Sequence, residues 1–307
     1  RMFLSEHPTL DEELARAKLI AHETAHMWFG DYVTMDWFND VWTKEVFANY
    51  FAACITEPLF PSVNHSLNWI KTYTSASLAE DRTPGSNSIR QPLDNLRNAG
   101  LIYGNIIYNK APVMMQKLVE IMGEEAYQEG IREYLKTYAY GNATWDDLIA
   151  ILDAKTEEDL ATFSDVWVNQ KGMPHITFHN RYGQLEIRQK DPLNRGLLWP
   201  QRFQVTFQGL ECSSVEVNLT KDSLIIDIPE GTEAILPNTD GRGYGLFIPD
   251  EQSKKWLLAH WQETLDDTAR QSLLMLLYEN YQHNLISDKE WMNALLNGLN
   301  NEKNALI

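Results

Sequence analysis

Cysteine is scarce in this chain, which contains only Cys54 and Cys212 among 307 residues. Two isolated cysteines do not form the spaced pattern of a disulfide framework or of a cysteine metal site, so neither is indicated. Cys54 lies in a short apolar run with Ala52, Ala53 and Ile55, and we expect it to be a buried thiol.

Positive charge and long apolar runs are also lacking. The chain has 26 Lys and Arg against 43 Asp and Glu, a net charge of −17. Nucleic-acid binding needs basic surface to neutralise phosphates, so no nucleic-acid partner is expected. No apolar run approaches the ~20 residues of a membrane helix, so no membrane segment is predicted. The length and the 44% hydrophobic content are typical of a globular chain with two or three domains.

What the sequence does contain is an H-E-x-x-H motif at His22, Glu23 and His26, followed after 18 intervening residues by Glu45. Four residues of α-helix turn through about 400°, so the two histidines lie on one helical face, one turn apart. Two imidazoles and a distant carboxylate can hold one zinc ion and leave a fourth position for water. Glu23, one step round the helix, can take a proton from that water.

The same histidine spacing can arise by chance between two surface or core side chains. Two features of the sequence favour a metal site instead. The motif lies inside a helical pattern that begins with a capping box at Thr9 and Glu12, and a second predicted helix, starting near Asp40, delivers Glu45.

These residues resemble the aminopeptidase N-like branch of the gluzincin zinc metallopeptidases, whose pattern is H-E-x-x-H, 18 residues, then E. The run from His26 to Met35 is similar to the H-x-W-F-G-x-x-V-T-M run of that family. The resemblance implies one zinc ion as cofactor, peptides as substrates, and hydrolysis that removes residues from the peptide N-terminus.

The resemblance also implies a catalytic tyrosine. Tyr108 lies 86 residues after His22 and is similar to the tyrosine of the family's Y-x-K-G-A stretch. A phenol there can donate a hydrogen bond to the oxyanion that forms during peptide hydrolysis. Without the resemblance, a tyrosine on an apolar helix is more often part of a core. Tyr103 is a second candidate for the same pocket.

Asp40 is a candidate for orienting a metal-binding histidine. Such a histidine usually gives its other ring N–H to a carboxylate or a carbonyl. The alternative is that Asp40 is simply the N-cap of the second helix. We also expect the aromatic side chains around the motif to belong to the core: Trp28, Phe29, Trp37, Phe38 and Trp42.

The fold class predicted from the periodicity is multi-domain α+β. Residues 1–172 are mainly helical, 173–250 alternate in short runs typical of a β-sandwich, and 251–307 are helical again. The resemblance implies a thermolysin-like catalytic domain, then a β-sandwich, then the start of a C-terminal α-helical domain.

The chain departs from the family pattern in three places. Lys44–Ala48 reads K-E-V-F-A where N-E-G-F-A is usual, and Lys110–Pro112 reads K-A-P where K-G-A is usual. The G-x-M-E-N segment, with which the family holds the substrate's amino group, does not occur in these residues. Since the chain opens on Arg1 in mid-pattern, we expect a fragment of a longer protein that binds zinc but has feeble aminopeptidase activity alone.

Two other functions remain open on the sequence. An epoxide hydrolase-type relative would use the same zinc site. A non-catalytic, zinc-stabilised binding module would need neither Glu23 nor Tyr108, and its zinc would usually be closed by four protein ligands. Retention of both residues favours an enzyme.

Overall fold

The computed structural model of the chain describes residues 3–264, 266–304 and 306–307. It forms two compact units, Arg1–His65 with Ala79–Lys171, and Ser66–Leu78 with Gly172–Ile307. Helices and strands are both well represented, which is compatible with the multi-domain α+β prediction. The domain boundaries at residues 172 and 250 stay predictions.

The first unit is mainly helical. Of the helices given next, the parts at residues 66–78 belong to the second unit. The helices are α1 (Leu10–Ala25), α2 (Trp42–Thr56), α3 (His65–Trp69), α4 (Ser75–Asp81), α5 (Ala99–Ile102), α6 (Ala111–Met122), α7 (Glu124–Thr137), α8 (Trp145–Asp153) and α9 (Leu160–Trp167). Two wider π-helical turns, Ile70–Thr74 and Ile106–Lys110, precede α4 and α6. The two strands of this unit, β1 (Val33–Met35) and β2 (Gly141–Ala143), pair in parallel.

Helix α1 begins at the predicted capping box. Thr9 Oγ1 accepts a hydrogen bond from the Glu12 amide, and the Glu12 carboxylate accepts one from the Thr9 amide at 2.8 Å. Together they satisfy two of the N–H groups that a helix start leaves without partners. The small buried face of α1, with Ala21 and Ala25, packs closely against α2. This packing brings the end of α1 beside the first turns of α2.

From residue 172 onward, the described part of the second unit consists of strands followed by helices. The elements are β3 (His175–Arg181), β4 (Gln184–Lys190), β5 (Gln201–Gly209), β6 (Ser213–Leu219), β7 (Ser223–Asp227), β8 (Thr232–Pro237), β9 (Leu246–Ile248), α10 (Glu251–His260), α11 (Asp267–Gln282) and α12 (Asp288–Asn301). These strands form one sheet with the order β7-β4-β3-β9 and another with the order β6-β5-β8.

One hydrophobic core joins both sheets to the helices that follow them. The rings of Phe178, Phe203 and Phe247 meet between the sheets, with Phe203 and Phe247 centroids 5.1 Å apart. Leu257 on α10 and Leu273 on α11 belong to the same buried cluster. The helices after residue 250 are therefore packed into the core of the sheets.

Three side chains expected in the interior lie at the surface of this structure. Cys54 is exposed. Trp28 and Trp37 are exposed too, with 47% and 44% of their surface accessible to solvent. Phe29 and Trp42 are buried as predicted. Among the described residues, no helix combines the length and the apolar character needed to cross a lipid bilayer.

Candidate metal centre

The two histidines of the motif meet at the C-terminal end of α1. His22 lies in the last turn and His26 is the C-cap, with a backbone that is still helical (φ −59°, ψ −22°). The helical spacing therefore holds even though α1 ends at Ala25. Their Nε2 atoms are 3.2 Å apart, and the rings are almost perpendicular, at 88°.

Helix α2 contributes the third group of the cluster. Glu45 is buried, and its Oε2 lies 3.5 Å from Nε2 of His22 and 3.9 Å from Nε2 of His26. With zinc–ligand distances of about 2.0–2.2 Å, a tetrahedron places neighbouring donors about 3.3–3.6 Å apart. The three observed separations are 3.2, 3.5 and 3.9 Å, so each lies inside that range or close to it. The donors therefore fit a zinc ion with one open position, and within the described part of the chain they form the only such cluster of three or more His, Cys, Asp or Glu residues.

The second ring nitrogen of each histidine also has a hydrogen-bond partner. Nδ1 of His22 lies 2.9 Å from Oδ1 of Asn49, and Nδ1 of His26 lies 3.0 Å from the carbonyl oxygen of Phe29. An N–H at Nδ1 donated to an oxygen leaves the Nε2 lone pair free for a metal. Sequence reasoning missed Asn49, although its position four residues after Glu45 places both on one face of α2.

The two oxygens of Glu45 have different neighbours. Lys44 Nζ lies 3.2 Å from Oε1, while Oε2 faces the histidines. Burial acts to raise the pKa of Glu45, but the hydrogen bond with His22 and the charge of Lys44 outweigh burial and lower that pKa. In turn, the hydrogen bond with Glu45 raises the pKa of His22. Glu45 is therefore favoured as the carboxylate anion, which is the form that can bind a cation.

Asp40 has a different role from the one expected, because its partners come from other elements. It ends a 3₁₀ turn before α2 and is almost fully buried, at 1% exposed. Its carboxylate pairs with Arg90 at 2.6 Å and accepts a hydrogen bond from the Trp145 amide at 3.0 Å. The partners of the histidines are Asn49 and the Phe29 carbonyl, so the prediction that Asp40 orients a ligand is wrong. It does not cap α2 either, since the N-cap of α2 is Val41 and no side chain caps this helix.

Glu23 and the two tyrosines lie near this cluster. Glu23 is exposed on α1, and its charge contributes to the raised pKa of His22. Tyr108 is 40% exposed on the π-helical turn that packs against α2. Burial raises the pKa of Tyr108, and the charges of Glu45 and Tyr103 raise it further. The rings of Tyr103 and Tyr108 are stacked with centroids 6.1 Å apart.

A comparison with protein families gives one match for this region: residues 2–167 match the peptidase family M1 domain. This range contains the whole cluster and both tyrosines.

Several curated proteins are similar to the chain over most of its length. Aminopeptidase N of Lactococcus lactis is 30% identical over 85% of the chain and 30% of its own length. Aminopeptidase N of Streptomyces lividans is 27% identical over 94% of the chain and 36% of its length. Endoplasmic reticulum aminopeptidase 2 of Homo sapiens is 26% identical over 83% of the chain and 30% of its length. The chain thus spans about a third of the length of these relatives.

Proposed function

Because this chain belongs to peptidase family M1, we propose that it carries the zinc centre of an aminopeptidase that removes residues from the N-terminus of peptides. The observation that carries the proposal is the triangle of His22, His26 and Glu45, whose donor separations fit three corners of a zinc tetrahedron. The aminopeptidase names of the similar proteins support the substrate class.

One zinc ion would be held by His22 and His26 through Nε2 and by Glu45 through Oε2. When bound, such an ion supplies a water of lowered pKa and polarises the scissile carbonyl. Asn49 and the Phe29 carbonyl fix the ring orientation and leave each Nε2 free to bind. Lys44 holds the other carboxylate oxygen of Glu45.

Two side chains would move or donate protons in the reaction. Glu23 is the general base, which takes the proton of the attacking water and returns it to the leaving amine. Tyr108 donates its phenolic hydrogen to the developing oxyanion. A tyrosine keeps its phenolic proton at neutral pH, so Tyr108 can donate it in a hydrogen bond. Tyr103, stacked on it, lines the same side of the site.

The fold contributes a scaffold for these groups. We propose that residues 1–172 are a thermolysin-like catalytic domain and that residues 173–250 are a β-sandwich. Two sheets around one core support the sandwich. We propose that residues 251–307 begin an α-helical domain, although in this structure they share that core.

The other two functions have less support. The similar proteins named above are aminopeptidases, which does not favour an epoxide hydrolase. A binding module with structural zinc would be expected to close the site with a fourth protein ligand. In the described residues the cluster has three.

The test is to load the chain with zinc and measure hydrolysis of aminoacyl anilides and peptides. We expect one zinc per chain and slow but measurable turnover, because the sequence lacks the family's amino-group-binding segment. Glu23→Gln should keep the zinc and abolish turnover, while Glu13→Gln, at the exposed start of α1, should change neither. Unchanged turnover in Glu23→Gln would overturn the base assignment, and a chain without zinc would overturn the proposal.

A further inference from the structure

A buried ion pair lies under the turn that carries Tyr108. Nζ of Lys110 is 2.6 Å from Oδ2 of Asp81, and both side chains are completely inaccessible to solvent. Ser86 Oγ donates a hydrogen bond to the other oxygen of Asp81 at 2.6 Å. Removing two charges from water costs free energy, and two apolar side chains of similar size often give a fold at least the same stability. Overall stability is therefore a weak reason for this pair to be present.

The position of Lys110 suggests a more specific role. It is the last residue of the π-helical turn Ile106–Lys110, and Tyr108 lies two residues before it. The Ala111 amide bonds to the Ile106 carbonyl, five residues back. Pro112 has no N–H and cannot bond to the Tyr108 carbonyl four residues earlier, which accounts for the wider turn at this point. Single π-helical turns occur often at functional sites.

The wider turn closes with a bond to the carbonyl five residues back, a rarer geometry than the α-helix, so contacts with other elements help to fix its position. Ile106 and Ile107 are buried on one side of it, and the turn packs against α2, the helix that carries Glu45. The Lys110 side chain reaches from the end of the same turn to Asp81 at the end of α4. A charged pair fixes both distance and direction, which apolar contacts do not.

We propose that Asp81 and Lys110 are positioning residues that hold this turn so that the phenol of Tyr108 stays beside the cluster of His22, His26 and Glu45. Neither residue touches substrate. The inference rests on the proposed function, since it takes Tyr108 as the oxyanion donor. Ser86 supports the pair by holding Asp81.

The principal test replaces the pair by apolar side chains, Asp81→Leu with Lys110→Met. Single replacements would leave one buried charge unpaired and are expected to unfold the chain. The double variant should fold and bind one zinc, but its kcat should fall about a hundredfold with little change in KM. Adding Tyr108→Phe should then cost less than about threefold, because the phenol has already lost its position. A full additional hundredfold loss, or an unchanged kcat in the double variant, would overturn the proposal.

A second readout does not depend on turnover. Fluorotyrosine is incorporated, the Tyr108 resonance is identified by its loss in Tyr108→Phe, and its fluorine shift is compared with and without Co²⁺ as the metal. The shift induced by Co²⁺ should be large in the unaltered chain and much smaller in the double variant. The same shift in both would refute the positioning role. If the chain binds Co²⁺ but cleaves no peptide, the proposed function fails while this measurement still decides the inference.

Two further variants complete the test. Ser86→Ala removes a hydrogen bond without leaving a charge unpaired, so it should fold and should lower kcat and the Co²⁺-induced shift in the same direction, to a smaller extent. If the double variant does not fold, Ser86→Ala decides the question. An unchanged kcat and an unchanged Co²⁺-induced shift in Ser86→Ala would then overturn the proposal. The matched control is the pair of Glu133 and Lys155, which is accessible to solvent and also 2.6 Å apart. Glu133→Leu with Lys155→Met should change neither readout.

Discussion

Oδ1 of Asn49 lies 2.9 Å from Nδ1 of His22, one turn along α2 from Glu45. A single helix therefore supplies both the carboxylate proposed to bind the metal and a hydrogen-bond partner for one of the histidines proposed as ligands. This arrangement makes α2 as important to the site as α1, which carries the recognisable motif.

Asn49→Ala should weaken zinc binding about tenfold to a hundredfold, because His22 would lose the partner that fixes its ring and its tautomer. Asn49→Asp should retain or strengthen binding, since a carboxylate is the better acceptor. Zinc affinity measured by competition with a chelating dye checks both. Asn293→Ala, exposed on α12 in the other unit, is the control. Equal affinities for all three variants and the unaltered chain would contradict the role of Asn49.

Tyr108→Phe should reduce kcat about a hundredfold, corresponding to the ~3 kcal/mol that one oxyanion donor contributes. Zinc content should be unchanged, because the phenol is not one of the three donors of the cluster. Steady-state kinetics on an aminoacyl anilide, with metal analysis of the same samples, checks this. Tyr182→Phe, on a fully exposed tyrosine of the second unit, should behave like the unaltered chain. An effect confined to an increase in KM would indicate a role in substrate binding instead.

The metal-free chain should lose stability as the pH rises through the neutral range. The hydrogen bond to Glu45 raises the pKa of His22 above its ordinary value of 6.5. The folded chain therefore binds this proton more tightly than the unfolded chain. The stabilisation is complete below pH 6.5 and is lost as the pH rises through the raised pKa. Urea midpoints of chelator-treated protein between about pH 5.5 and about pH 8 measure it.

His22→Ala should remove this pH dependence, while the exposed His7→Ala should retain it. Zinc competes with the same proton, so zinc binding should weaken as the pH falls below the raised pKa. Identical pH profiles for His22→Ala and the unaltered chain would show that His22 does not share a proton with Glu45.

Gly298→Ala should destabilise the second unit by about 1–3 kcal/mol. A Cβ on Gly298 would lie 1.9 Å from Cζ2 of Trp261, which is buried and held by its hydrogen bond to the Ala294 carbonyl. The clash should outweigh the ~1 kcal/mol that alanine gains over glycine in a helix. Asn300→Ala, exposed on the same helix, lacks the clash and is the control. Thermal unfolding measures both, and equal or higher stability of Gly298→Ala would show that Trp261 moves easily.

Local features of the site were predictable because they depend on near neighbours in the chain. The capping box at Thr9 and the shared face of His22 and His26 follow from helical geometry over four residues. The partners of Asp40 were not predictable in this way. Arg90 and Trp145 are 50 and 105 residues away in sequence, so only folding brings them together.

The burial of some hydrophobic side chains was predicted correctly and that of others was not, for a physical reason. A hydrophobic side chain tends to be buried, but a folded surface still contains many apolar atoms. The structure exposes Trp28 and Trp37 while burying Phe29 and Trp42 beside them. Conversely, it completely buries Lys110, a residue type that is rarely inside unless it is paired. The sequence contains no local sign of Asp81 as its partner.

The sequence by itself determined that His22 and His26 lie on one face of a helix, because their spacing is helical. It also contained Glu45, the later residue able to complete a metal site. Its periodicity also determined where helices give way to strands, because side-chain spacing is a property of each element alone. The tertiary structure decided which side chains lie around the site: Asn49 rather than Asp40 beside His22, and the Asp81–Lys110 pair beneath the turn that carries Tyr108. These contacts depend on how separate helices and turns pack together, and no local sequence pattern indicates that packing.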